Sequence, residues 1–123
     1  MKKILVLDDD TAMLEVLEAA LEYASFSVKT AVQSDAIFNE IKEFTPDLVL
    51  VDYILNGVNG GEICHQIKCN PDTSHIPVIL ISAFPRVFLS LGDYGCNAFI
   101  PKPFELLDLV EQINTCIHSS ANP

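Results

Sequence analysis

No stretch of the 123-residue chain approaches the eighteen or so uninterrupted apolar residues that a membrane-spanning helix needs. No signal-peptide pattern precedes the apolar segment that begins at Lys3, so the chain is expected in the cytoplasm. Positive charge is scarce. Seven basic residues against 17 acids give a formal net charge of -10, which disfavours nucleic acid and anionic membranes and leaves proteins, cations and small molecules as partners. Cys64, Cys69, Cys96 and Cys116 show no C-x-x-C spacing and no secretory context, so they read as free thiols acting as small, partly buried hydrophobes. Repeats, low-complexity segments and linkers to another domain are also missing. With 50% apolar residues, the sequence can bury a core of ordinary size. It reads as one domain over residues 1–118, with residues 119–123 a tail.

What is present is a series of short apolar runs, each followed by a residue able to do chemistry. Residues 47–52, Asp-Leu-Val-Leu-Val-Asp, have the composition of a strand buried on both faces, ending on Asp52. Residues 3–7 run into Asp8, Asp9 and Asp10; residues 78–81 end on Ser82; and residues 98–100 are followed closely by Lys102. Helical spacing separates these runs. Asp10 or Thr11 can cap a helix carrying Met13, Leu14, Leu17, Ala20, Leu21 and Ala24 on one face. Residues 27–31 alternate like an edge strand. Ser34 can cap a helix packing through Ile37, Ile41 and Phe44, which Pro46 stops. The Gly- and Asn-rich residues 56–61 are turn chemistry, and a third helix follows with Ile63, Cys64 and Ile67 inward until Asn70-Pro71-Asp72 breaks it. Strand pattern resumes at Ile76. Residues 85–97 suggest a two-turn helix through Val87, Phe88 and Leu91, and Pro103 is expected to open a last helix. That helix would hold Glu105 and Asp108 in its first turns and turn Leu106, Val110, Ile113 and Ile117 inward. Five alternating βα units predict a doubly wound α/β fold: a five-stranded parallel sheet between two helical layers. The two least buried runs, the second and fifth, belong at the edges, so the expected strand order is 2-1-3-4-5.

That order brings Asp8, Asp9 and Asp52 together where ligands gather, at the carboxyl ends of the first and third strands. Their mutual repulsion calls for a divalent cation, and an all-oxygen donor set favours Mg²⁺ or Mn²⁺ over Zn²⁺. A carboxylate beside such an ion and a fixed ammonium is a credible nucleophile toward a phosphoryl group. Asp52 would be that nucleophile, Lys102 the ammonium, and Ser82 a hydrogen-bond donor to a phosphoryl oxygen. Asp10 fits a helix cap better than a ligand.

The ordered set Val6-Leu7-Asp8-Asp9, Asp52, Ser82-Ala83 and Lys102-Pro103-Phe104 resembles the receiver domain of two-component response regulators, of the single-domain chemotaxis type, across essentially the whole chain. The resemblance implies a flavodoxin-like (βα)5 fold. It implies an Asp52 phosphorylated by a histidine kinase, a phosphotransfer protein or a small phosphodonor, and Mg²⁺ held by Asp8, Asp9, Asp52 and the backbone carbonyl of Ile54. Ser82 matches the switch hydroxyl, Lys102 the phosphate-pairing lysine and Phe99 the aromatic that changes rotamer. Such a domain controls a downstream protein, does not itself contact nucleic acid or membrane, and is a monomer, or a dimer once phosphorylated. It catalyses only its own phosphorylation and dephosphorylation. Ile54 and Phe84 match the positions that flank the attacking water, and the Lys102–Pro103 bond is expected to be cis. Three departures stand out: Asn56 replaces the usual Pro, Phe99 the usual Tyr, and the stretch from Ser82 to Lys102 is about two residues short, which touches the fourth helix. A competing resemblance is the haloacid dehalogenase phosphohydrolases, in which Asp8 would be the nucleophile, but Asp8-Asp9-Asp10-Thr11 lacks their Gly. A flavodoxin would need a Ser/Thr-Gly phosphate loop after the first strand, which this sequence does not have.

Overall fold

The computed structural model describes residues 1–33, 35–55, 58–83 and 96–121. In chain order the elements are β1 (Lys3–Leu7), α1 (Thr11–Tyr23), β2 (Ser27–Ala31), α2 (Ile37–Phe44), β3 (Leu48–Asp52), β4 (Ile54–Leu55), β5 (Val58–Asn59), α3 (Gly60–Cys69), β6 (Val78–Ser82), β7 (Ala98–Pro101) and α4 (Leu106–Ala121). The main sheet is parallel, in the order β2-β1-β3-β6-β7. Counting its own strands alone, that is 2-1-3-4-5, as expected. The edge strands are the less buried ones: β2 is half-buried throughout, and of β7 only Ile100 is buried. The small antiparallel hairpin β4–β5 was not foreseen.

Alternation along the central strands divides the core into two layers. Ile4, Val6, Leu48, Leu50, Ile79 and Ile81 point to the side covered by α1 and α4. Leu5, Leu7, Val49, Val51, Val78 and Leu80 point to the side covered by α2 and α3. Each fully buried Leu or Ile contributes about 1.5–3 kcal/mol relative to exposure, and β3, buried on both faces, supplies side chains to both layers.

Local chemistry fixes the helix ends. Asp10 Oδ1 accepts from Ala12 N at 3.0 Å and Met13 N at 3.2 Å, making it the cap of α1 and stabilising that helix by about 1 kcal/mol. At the other end Ser25 takes φ 74°, and Ser25 N and Phe26 N donate to the carbonyls of Glu22 and Leu21. This is the left-handed stop usually reserved for glycine, here anchored by buried Phe26.

Three expectations need correction. α2 begins at Ile37 with Ala36 in the capping position and no side-chain cap; Ser34 lies outside the described residues. The last helix starts at Leu106, not Pro103. Leu109 N donates to Glu105 O at 3.1 Å, and the inward set is Leu109, Ile113, Cys116 and Ile117, with Val110 half-buried and Leu106 exposed. It also runs to Ala121, so residues 119–121 are helical and not a tail. The expected two-turn helix through Val87, Phe88 and Leu91 lies outside the described residues, as does Asn56. Among the described residues no disulfide links the cysteines, and Cys64 and Cys116 are buried. No helix among the described residues is long and apolar enough to cross a membrane.

Candidate functional site

Backbone hydrogen bonds that run past the strand ends bring the site together. Asp8 N donates to Ala31 O (3.1 Å), Tyr53 N to Ile81 O (2.8 Å) and Lys102 N to Ser82 O (2.8 Å). Each bond extends a ladder by one step, so Asp8, Asp52, Ser82 and Lys102 emerge along one edge.

There, one carboxylate oxygen from each of Asp8, Asp9 and Asp52 lies within 4.8 Å of the others. Lys102 Nζ stands 3.4 Å from Asp52 Oδ1 and 3.9 Å from Asp8 Oδ2. The Lys102–Pro103 bond is cis. Asp8 is only 3% exposed. Burial pushes its carboxyl up from 3.8 to about 6, and the neighbouring Asp52 charge adds to this, while the Asp10 amide on its Oδ1 (2.9 Å) and the Lys102 ammonium act in the opposite sense. Three anions against one ammonium leave an excess of about two negative charges at neutral pH, which a divalent cation would offset. The donor set fits such an ion: carboxylate oxygens only, at separations close to the roughly 4.2 Å that two ligands about 2.1 Å from Mg²⁺ can span. Asp8, Asp9 and Asp52 are therefore able to hold a metal.

Ser82 is buried at the end of β6, next to Ile81, which pairs with Asp52. Phe99 is half-buried against the α2/α3 layer. The backbone of Ile54 belongs to β4, two residues beyond Asp52. Its side chain, like Phe84, lies outside the described part of the chain.

Sequence reasoning missed the role of Gly60. It reads as turn chemistry, yet Gly60 begins α3, and its amide donates to Tyr53 O at 2.6 Å. A Cβ there would overlap the backbone carbonyl oxygen of Asp52. The requirement is close approach of two backbones, and the available signal was a Gly pair opening a helix pattern just after the Asp52 loop.

A doubly wound parallel sheet with an acid cluster and a lysine at its switch point defines the class of open α/β folds whose ligands bind at the carboxyl ends of the strands. The match is closer than class. Residues 4–114 fit the response regulator receiver domain family, and the chain belongs to it. Response regulator ArlR of Staphylococcus saprophyticus is 31% identical over 119 residues, covering 95% of this chain and 53% of ArlR. The chain thus spans about half the length of the curated relatives it matches first. A receiver domain structure from Clostridium thermocellum superimposes with TM-score 0.85 at 27% identity, covering 98% of each chain. The response regulator TrrA of Thermotoga maritima, solved in complex with Mg²⁺ and BeF, shares the fold with TM-score 0.84 at 24% identity, over 94% of this chain and 99% of that one.

Proposed function

We propose that this receiver domain is a phosphoacceptor switch in which Asp52 takes a phosphoryl group from a histidine kinase or phosphotransfer protein, and the altered site controls a downstream protein. The observation that carries this reading is the placement of Asp52, 3.4 Å from the Lys102 ammonium and inside the acid cluster. An Asp52 oxygen attacks phosphorus, a P–O bond forms as the donor's P–N bond breaks, and the imidazole leaves with a proton. Lys102 neutralises charge on the transferring oxygens, and Ser82 donates to another of them. Asp8, Asp9, Asp52 and the Ile54 carbonyl would hold Mg²⁺, or Mn²⁺ in its place, which supplies the remaining charge neutralisation when bound. Phe99, half-buried beneath this edge, is the side chain that would change rotamer as Ser82 moves.

Under this reading the chain turns over nothing but its own aspartyl phosphate and does not itself bind nucleic acid. It works in the cytoplasm as a monomer, or as a dimer once phosphorylated. A hydrolase using Asp8 fits less well, because Asp8 is nearly fully buried and one of its oxygens already accepts the Asp10 amide. Ile54 and Phe84 offer no group to orient water, so the phosphorylated state should decay slowly. Ile54→Asn and Phe84→Glu should speed that decay more than tenfold, equivalent to about 1.4 kcal/mol. Unchanged rates in both would remove those side chains from the account. The direct test of the site is fluorine NMR of beryllofluoride, the phosphoryl mimic that TrrA holds. Binding should require Mg²⁺ and vanish in Asp52→Asn; a metal-independent adduct, or one that survives in the variant, would sink the assignment.

A further inference from the structure

The end of the sheet opposite the acid cluster holds a cavity of about 830 Å³, inside the size range of small-molecule sites. Its floor is apolar, formed by Phe38 and Ile41 of α2, Pro46 before β3, Ile76 and Pro77 before β6, and Ile117 of α4. Lys2, Lys42 and His75 stand exposed on its rim. Two acids reach the lining, Asp47 and Asp72, and Asp47 Oδ2 already accepts the Lys3 amide at 2.8 Å.

Two further ammonium groups back the wall. Lys68 Nζ donates to the carbonyl of the lining residue Ile76 at 2.9 Å, and Lys3 Nζ to the hydroxyl of the lining residue Thr45 at 3.1 Å. Lys2 and Lys42 line the opening, and Lys3 and Lys68 stand behind it against the lining residues Thr45 and Ile76, so four of the seven basic residues of a chain with 17 acids gather at this end. Four ammonium groups in or behind the lining against the two carboxylates of Asp47 and Asp72 leave a local excess of positive charge in a chain of net charge -10, and low-dielectric walls strengthen its pull on an anion. An apolar floor below the exposed ammonium groups of Lys2 and Lys42 is complementary to a ligand with an apolar body and one anionic group.

We propose that this cavity binds a small amphipathic anion: an aromatic or alicyclic body bearing one carboxylate, sulfonate or phosphate group. The body rests on Ile41, Pro46 and Pro77, and the charge lies between Lys2 and Lys42. The site is at the amino ends of β1, β3 and β6, with the length of the strands between it and Asp52. It therefore stands or falls independently of phosphoryl transfer.

The test titrates the full chain with 8-anilinonaphthalene-1-sulfonate and with its uncharged counterpart N-phenyl-1-naphthylamine, following backbone amide shifts by NMR. The sulfonate should bind at one saturable site, with shifts centred on residues 38–47 and 73–77. The double variant Lys2→Gln/Lys42→Gln should weaken it by about tenfold or more while leaving the neutral probe within about twofold, since only the charge contact is removed. Asn39→Trp, at the exposed rim of α2, should obstruct both probes. Non-saturating binding, shifts centred on Asp8 and Asp52, or a sulfonate affinity unchanged in the double lysine variant would overturn the proposal.

Discussion

At the carboxyl ends of the strands, three carboxylates crowd within 4.8 Å of one another beside Lys102, whereas at the amino ends the exposed side chains of Lys2 and Lys42 stand over an apolar floor. The same five strands hold both ends, so the contrast lies in how each polar group is satisfied. At the amino end Asp47 has its partner already, the Lys3 amide at 2.8 Å. At the carboxyl end Asp8 is buried beside like charge, with its carboxyl raised to about 6. The acid at the amino end has its partner as folded, and the carboxyl end retains a repulsion that an added cation or a change of charge relieves. A switch that responds to phosphoryl transfer needs the second kind of site, held by a scaffold of the first kind.

The largest expected effect comes from Gly60→Ala. Helix propensity alone would make this a gain of about 1 kcal/mol, but the added Cβ overlaps the Asp52 carbonyl oxygen. Sterics should win, with a net loss of about 3 kcal/mol in denaturant unfolding and a weaker Mg²⁺ affinity as Asp52 is displaced. A stabilised variant with unchanged metal affinity would show that the close approach is dispensable.

Asp8→Asn should act in the opposite direction without metal. The Asp8 pKa is raised from 3.8 when unfolded to about 6 when folded, so its contribution is fully present below pH 3.8 and is lost as pH rises through about 6. Above that, an ionised Asp8 destabilises the metal-free protein by up to about 3 kcal/mol. The variant should therefore be more stable than wild type at pH 7 by about 1–3 kcal/mol, reduced by the lost Lys102 contact, and no more stable at pH 4. Adding Mg²⁺ should raise the melting temperature of wild type and leave that of the variant unmoved. Melting curves at the two pH values, with and without metal, check both signs.

The smallest effect is expected at the other end. Asp47→Ala removes one acceptor from a half-buried amide and should cost about 1 kcal/mol, equally with and without Mg²⁺. A metal-dependent cost there would mean that the two ends are coupled through the sheet.

Most of the fold was legible because β3 and its neighbours are apolar on both faces and the helices between them are amphipathic, so period and length alone assign them. The acid cluster was legible for the same reason: Asp8, Asp9 and Asp52 directly follow such runs. What escaped depends on contacts between segments distant in sequence or on a phase shift of one residue. Leu106 and Leu109 both suit a helix face, and only packing against the sheet chose Leu109. Pro103 looks like a helix start, but Pro103, Phe104 and Glu105 form the connection from the sheet edge to α4. The Gly60-Gly61 pair marks a tight place just after the Asp52 loop without naming the Asp52 backbone as the neighbour, and the left-handed Ser25 defies the usual glycine rule because Phe26 anchors the turn. The cavity escaped because it gathers Lys2, Lys42, His75 and Ile117 from separate parts of the chain.

The central claim is that the crowded end is a metal-assisted phosphoacceptor with Asp52 as its nucleophile. Intact-mass measurement after incubation with a small acyl phosphate, with and without Mg²⁺, followed by peptide mapping, tests it most directly. The account predicts a single added phosphoryl group, dependent on Mg²⁺, mapped to Asp52 and absent in Asp52→Asn. Label on Asp8, or equal labelling without the metal, would contradict it.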